Sequence, residues 1–303
     1  MIVRSMSKIS IAKILVAWVA ICGLLWFLEI NQIYQAALEI DPFLIGCVFA
    51  LTLVGLAIQT EKWHLLLMYC APGIQRPEAL YSLLVGFGLG MFTPGRVGEL
   101  GRGVVLRGET SKIALFAAVD RIASMAVTLL VGSGAIVWMW KESGWLALGG
   151  ILCVLVFFAS IIIIGARISS QTDKLIKIHR GLKHMPPRAW LYLCLWSILF
   201  NIVFLGQFYL LVGGIYGWSR QVAVAIPALF ALKSVLPLSF LDIGVREGAA
   251  VWIYSKLGYD PLPAFNASLL VFVFNVAFPS GFGWLLWSRR DVKNSLVPNG
   301  ERS

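Results

Sequence analysis

Six stretches of this chain are apolar for long enough to cross a bilayer: residues 11–29, 43–60, 112–140, 144–165, 189–213 and 264–287. A membrane-spanning helix needs about 20 apolar residues. Composition decides whether such runs belong in lipid or in a soluble core. The chain is 59% hydrophobic and 13% charged, against about 25% charged in soluble domains. That excludes an ordinary cytosolic globular protein and a disordered tail. The net charge of +10 does not point to nucleic acid, because Lys and Arg collect in the cytoplasmic loops of membrane proteins and set their orientation. The expected fold class is an all-α polytopic membrane protein, a bundle of about six to eight spans. Residues 1–303 read as a single integral membrane domain, since no stretch is long and polar enough to fold as a soluble one. Arg4, Lys8 and Lys13 before the apolar run from Ile14 to Leu28 imitate a secretory signal. No small-x-small cleavage site follows, so the run reads as a retained first helix.

Two further apolar runs do not fit this pattern. Residues 79–93 are short, carry Gly86, Gly88 and Gly90, and end at Pro94-Gly95. Residues 222–241 hold Pro227, Lys233 and Pro237. Counting crossings shows how they behave. The segment 166–188 is strongly basic and should be cytoplasmic, as should both termini. A full crossing by 79–93 would force that segment outside, whereas a hairpin over 79–111 that enters and returns on the cytoplasmic side keeps it inside. The same counting makes 222–260 begin and end outside. The chain therefore reads as a first half, 10–140, a connecting span with a basic loop, 141–188, and a second half, 189–290. One hairpin enters from each side, giving the inverted-topology repeat found in many transporters. Irregular backbone at membrane depth is tolerated only inside protein or around a wet cavity, which two facing hairpins would build. Within the connecting loop, Leu175, Ile178 and Leu182 fall on one helical face, as in a short amphipathic helix on the inner leaflet or a solvated basic connector.

Three groups of residues can carry chemistry. The first is Thr93-Pro94-Gly95-Arg96-Val97-Gly98-Glu99-Leu100-Gly101-Arg102. Pro94-Gly95 ends the preceding helix, and Gly98 permits close backbone approach. Arg96 and Arg102 can grip a phosphate through several donors, while Glu99 can neutralise an arginine when the site is empty. The alternative is an interfacial turn whose arginines meet lipid phosphates. The second group, around Pro237, Asp242, Gly244, Arg246 and Glu247, repeats those ingredients. Lys233 lies one helical turn before Pro237. Charges at membrane depth are costly and must pair or face water. The third group is Asp120-Arg121 inside the run 112–140. Adjacent residues on a helix do not face each other, so each should find a separate partner, Glu99 or Glu247 for Arg121. An ion-pair network holding the hairpins is the alternative role.

Trp138, Trp140, Trp145, Trp284 and Trp287 fall near the span ends, as an interfacial aromatic belt would. Gly86-x-x-x-Gly90 is a common helix-packing pattern. Five cysteines without CxxC spacing and three histidines without a metal pattern give no expectation of a disulfide, a metal or any other cofactor.

Pro94-Gly95-Arg96-Val97-Gly98-Glu99 and Gly244-Val245-Arg246-Glu247 resemble the two signatures of the lysylphosphatidylglycerol synthase transmembrane region, also called the flippase-like family. Val119-Asp120-Arg121 and Glu61-Lys62-Trp63 are similar to further family positions, and the resemblance runs over roughly residues 10–290. It implies a helical membrane bundle. The best-understood members move modified phospholipids between leaflets, and others are linked to polyprenyl-phosphate sugars or hopanoid-type lipids. The chain lacks the soluble aminoacyl-transferase domain of some members, so it is not expected to synthesise an aminoacyl lipid. Phe240-Leu241-Asp242 stands where a more glycine-rich stretch is common.

The expectation is a non-enzymatic flippase or scramblase of the plasma membrane. Arg96, Arg102 and Arg246 attract a headgroup phosphate, and Glu99, Asp120 and Glu247 hold those arginines in the empty state. The partners expected are lipids with anionic or zwitterionic headgroups, and a homo-oligomer is allowed. No nucleotide-binding loop occurs, so ATP is not expected as the direct energy source. The rivals are a lipid-modifying transferase, or a subunit of one, and a structural partner for another membrane protein.

Overall fold

The structure is a computed structural model that describes residues 40–91, 93–140, 185–235 and 245–296. The runs 11–29 and 144–165, the basic loop 166–184 and the positions Pro237, Asp242 and Gly244 lie outside the described residues. Among the described residues every regular element is helical. Four helices are long and apolar enough to cross a membrane. These are α1 (Pro42–Cys70), α3 (Thr110–Met139), α4 (Pro187–Tyr216) and a span over Pro261–Ser288. The last is built from α7 (Pro261–Phe272), a π-helical turn (Val273–Ala277) and α8 (Phe278–Leu296). Asp41 and Asp260 cap α1 and α7 by accepting from the backbone N–H two residues on, with a proline in the first turn of each helix.

Between the long helices lie shorter elements. Helix α2 (Arg76–Met91) is followed by a 3-10 segment, Pro94–Val105, and α5 (Arg220–Val235) is followed by α6 (Val245–Lys256). At 1.5 Å per residue, α2 and α5 are about 24 Å long, short of the ~30 Å hydrocarbon core. The same order of lengths thus occurs twice. The first half runs 29, 16, 12 and 30 residues. The second runs 30, 16 and 12, then a span of 28.

The packing repeats as well. Helix α3, which closes the first half, packs on α5 of the second, and α8, which closes the second half, packs on α2 of the first. Helices α1 and α4 lie against each other. Each exchange is made close by one glycine. A methyl group on Gly132 would overlap the Pro227 carbonyl and Ala231, and one on Gly283 would overlap the Leu84 carbonyl. The two glycines hold the same place in their spans (110 to 132, and 261 to 283).

Two main apolar cores form, and each draws on both halves: Ala189 and Leu193 of α4 join the first, Val48 of α1 and Ala135 of α3 the second. Trp63, Leu67, Leu83, Ile113 and Phe116 anchor the first, and Phe208, Leu229, Ile253, Tyr254 and Val271 the second. A small cluster of Met91, Leu269, Phe272 and Val276 joins them. Outward, α1 exposes Phe43, Leu53, Val54 and Met68, and α4 exposes Leu191, Leu195, Ile198 and Ile202. Helices apolar on both their inner and outer faces face lipid rather than water. Where they touch, buried amides bind them. Gln207 of α4 donates to the Val48 carbonyl and to Thr52 Oγ1 of α1, whereas Asn201 of α4 accepts from Thr128 of α3 and donates to the Ser197 carbonyl of its own helix.

Two expectations are corrected here. The apolar run 43–60 stops where Glu61-Lys62 begins, yet α1 continues unbroken to Cys70. Glu61 lies on the outer face beside Arg76, while Lys62 turns inward, 2% exposed. Trp284 is not part of an interfacial belt. It is buried against α2, its indole N–H donating to the Gly88 carbonyl at 3.0 Å.

Candidate functional site

The first short pair turns sharply after α2. The Thr93 hydroxyl accepts from the Gly98 N–H at 2.7 Å, and the Thr93 carbonyl accepts from the Arg96 N–H at 2.9 Å. Arg96 itself sits at φ 57°, the only positive φ at a non-glycine among the described residues. Such a conformation costs a side-chain-bearing residue about 1–2 kcal/mol, and outliers of this kind concentrate at functional sites. Gly98 lies directly on the Leu89 carbonyl, where a Cβ would collide.

This turn places four cations around two carboxylates. Glu99 Oε1 is 2.6 Å from Arg96 Nε, and Glu99 Oε2 lies 3.3 Å from Arg102 Nη2 and 3.7 Å from Arg121 Nη1. Asp120 Oδ2 accepts from Arg102 Nη1 at 2.7 Å, and Oδ1 is 2.9 Å from Lys62 Nζ. Lys62 also donates to Ser124, one turn beyond Asp120 on α3. Arg121 donates to the Arg96 carbonyl at 2.6 Å. Asp120 and Arg121, neighbours in sequence, therefore take separate first partners as their helical geometry requires. The Arg102 guanidinium lies over the Trp63 ring at 5.1 Å, and Arg96 lies over Phe87 at 5.5 Å. Rings add cation–π attraction where water is scarce.

The glycines of α2 make this possible. A Cβ on Gly86 would overlap the stem of Arg102, and one on Gly90 the stem of Glu99. The Gly86-x-x-x-Gly90 pattern is a slot for one arginine and its carboxylate, which the pattern alone does not reveal.

The second short pair supplies a smaller cluster. Arg246 Nη2 is 2.6 Å from Glu247 Oε1, and Arg246 Nε donates to Ser268 Oγ at 2.7 Å. Ser268 in turn donates to Glu247 at 3.0 Å, and the guanidinium lies over Phe272 at 5.4 Å. All three polar side chains are buried.

The two clusters open onto one cavity of about 190 Å³. Lys62, Arg96, Glu99, Arg102, Asp120 and Arg121 line it from the first half, and Lys233 and Arg246 from the second. Phe200, Phe204, Phe230 and Met125 form apolar wall, and Asn275 and Val276 enter from the π-helical turn. A π turn widens a helix by one residue and often occurs at functional positions. Here the Asn275 amide donates to the Val271 carbonyl. Of the residues singled out from the sequence, Glu247 stands behind Arg246 and away from the lining, and the side chains of Pro94 and Gly95 lie outside the described set. Sequence reasoning gave Lys62 no part in the site. Its signal was a lysine followed by Trp63-His64-Leu65-Leu66-Leu67-Met68, an apolar continuation that a helix boundary at residue 60 concealed. Among the described residues no cluster of His, Cys, Asp and Glu could hold a metal ion.

Lys62 on α1 and Asp120 and Arg121 on α3 thus meet Arg96, Glu99 and Arg102 of the 3-10 segment inside a bundle with apolar outer faces. The family model of the Lysylphosphatidylglycerol synthase TM region matches residues 10–283. The chain belongs to this family. It is a multi-pass membrane protein of a family tied by its name to lipid modification. No curated protein matches the chain.

Proposed function

We propose that this protein is a lipid flippase or scramblase that moves a phosphate-containing lipid between the leaflets of the plasma membrane. The observation that carries the reading is the single cavity into which Arg96, Arg102 and Arg246 project from both short-helix pairs. A phosphate entering it meets guanidinium groups that are held, not free. Glu99 keeps Arg96 and Arg102, Asp120 keeps Arg102 and Lys62, and Glu247 keeps Arg246. An anion that enters meets arginines already held in place, so little ordering of their side chains is needed. Acyl chains stay in lipid against the exposed apolar faces of α1 and α4.

On this reading α2 with the 3-10 segment, and α5 with α6, are re-entrant hairpins of an inverted repeat. Their shortness supports it, as does the exchanged packing of α3 on α5 and α8 on α2. Rocking one half against the other around the cavity would alternate access. Both termini lie in the cytoplasm. The rival is a transferase acting on a lipid phosphate in the same cavity.

The test is leaflet exposure of a total lipid extract in proteoliposomes, with native protein against Arg96→Ala plus Arg246→Ala. Redistribution of one lipid class, lost in the variant, is the expected result. Appearance of a chemically altered lipid would instead establish the transferase.

A further inference from the structure

The twofold correspondence of the fold fails at one seam. In the repeated order α1 corresponds to α4, and α3 to the span Pro261–Ser288. The seam between α3 and α4 should therefore have its equal between that span and α1. Helix α3 packs along α4, where Thr128 donates to Asn201 at 2.6 Å. Across the matching seam α1 meets the span mainly at the π-helical turn. The contact there is aromatic. Phe49 lies edge-on to Phe274 and Phe278, with ring centroids 5.9 and 5.7 Å apart.

The two sides of this seam run in one direction. Helix α1 starts beside the end of α4, with Leu44 against Gly214, and α7 starts there too, where Tyr216 donates to the Asp260 carbonyl. Beyond the π turn, Phe278, Phe282 and Leu285 share one face of α8 by their helical spacing, and all three are exposed. Phe49 and Leu53 form the same kind of exposed pair on α1. The inner side of the seam is polar. Phe274 faces Phe49, yet its neighbours Asn275 and Val276 line the cavity, as does Gln59 of α1. At 3.6 residues per turn, Gln59 lies roughly 80° around α1 from Phe49, and Lys62 roughly 140° in the same sense. One helix thus leads from an apolar outer face, past a neutral amide, to the buried ion pairs.

We infer that the seam between α1 and the span Pro261–Ser288 is the lateral portal by which a lipid reaches the cavity, an inference that rests on the translocation reading and deepens it. The headgroup passes inward by Gln59 and Asn275, while an acyl chain stays on Phe49, Leu53, Phe278 and Phe282. An exposed apolar strip that ends in a charged cavity suits a molecule with one hydrocarbon end and one ionic end. Alternating access then exchanges the seams, the α3–α4 seam opening as this one closes. The π turn stands at the contact that must shift.

The test places Met125→Cys, a change in the cavity wall, in a cysteine-free background, in phosphatidylcholine vesicles containing a phospholipid whose headgroup ends in a maleimide. The lipid should label the introduced thiol. Phe49→His plus Phe274→His should then bind nickel across the seam, seen as a metal-dependent rise in unfolding temperature. Bound nickel should remove most of the labelling and most of the lipid redistribution, a chelator should restore both, and Met125→Cys alone should ignore the metal. Labelling that nickel does not reduce would overturn the portal and leave translocation standing. Labelling by a water-soluble maleimide but not by the lipid would mean that the seam is covered, and would overturn the portal as well. A histidine pair that binds no nickel would show that α1 and the π turn do not meet at these residues, which removes its basis. Nickel-sensitive labelling without any lipid redistribution would keep the portal and overturn translocation.

Discussion

Asp120 holds two cations, Lys62 at 2.9 Å and Arg102 at 2.7 Å. Removing one partner of a buried pair leaves an uncompensated charge and costs about 3–5 kcal/mol. Asp120→Ala strands Lys62, leaves Arg102 with Glu99 alone, and should cost that much. Lys62→Met leaves Asp120 with Arg102 and should cost less than half of it. Thermal unfolding in detergent measures both, and equal losses would mean that Lys62 is the main anchor. Arg96 gives a second prediction. At φ 57°, Arg96→Gly and Arg96→Ala lose the same charge, but glycine sheds the backbone strain. The glycine variant should be more stable by about 1 kcal/mol. Most of the site was legible at this scale, because Arg96, Glu99, Arg102, Asp120 and Arg121 are charges set in or beside apolar runs. Lys62 was not. Its neighbour Glu61 is half-buried and paired with Arg76, so the two together read as the polar end of a helix. Only the fold shows that one faces out and the other in.

At the scale of elements the boundaries of α3, α4 and the span 261–288 follow from apolar length. What the sequence concealed is how short elements meet long ones. Gly132 and Gly134 are two residues apart in α3, yet Gly132 touches α5 while a Cβ on Gly134 would meet nothing within 4 Å. Gly132→Ala should therefore lose about 1–3 kcal/mol through overpacking. Gly134→Ala should be neutral or gain up to about 1 kcal/mol from helix propensity. Melting curves of the two variants make the comparison, and equal behaviour would count against the α3–α5 packing. Trp284 carries the same lesson. A tryptophan near a span end ordinarily belongs at the interface, and only contact with the Gly88 carbonyl shows it to be a fastener between halves.

For the whole molecule, charge counting leads only to the expectation of two oppositely entering hairpins; the twofold order of lengths and the exchanged packing emerge from the fold itself. Their sidedness is a separate matter of orientation. If the halves are inverted, Glu109, exposed before α3, and Ser255, exposed near the end of α6, lie on opposite sides. Single cysteines at these positions in a cysteine-free background should react with an impermeant thiol reagent from inside and from outside, respectively. Reaction of both from one side would break the inverted repeat while leaving the cavity intact. The central claim is that one cavity, fed by both halves, holds a lipid phosphate. The most direct measurement is a cryo-electron microscopy structure of the protein in nanodiscs with its co-purified lipid. Phosphate density between the guanidinium groups of Arg102 and Arg246, with acyl density leading to the exposed faces of α1 or α4, is the predicted result. An empty cavity with ordered lipid phosphate only at the outer rim of the bundle would contradict it.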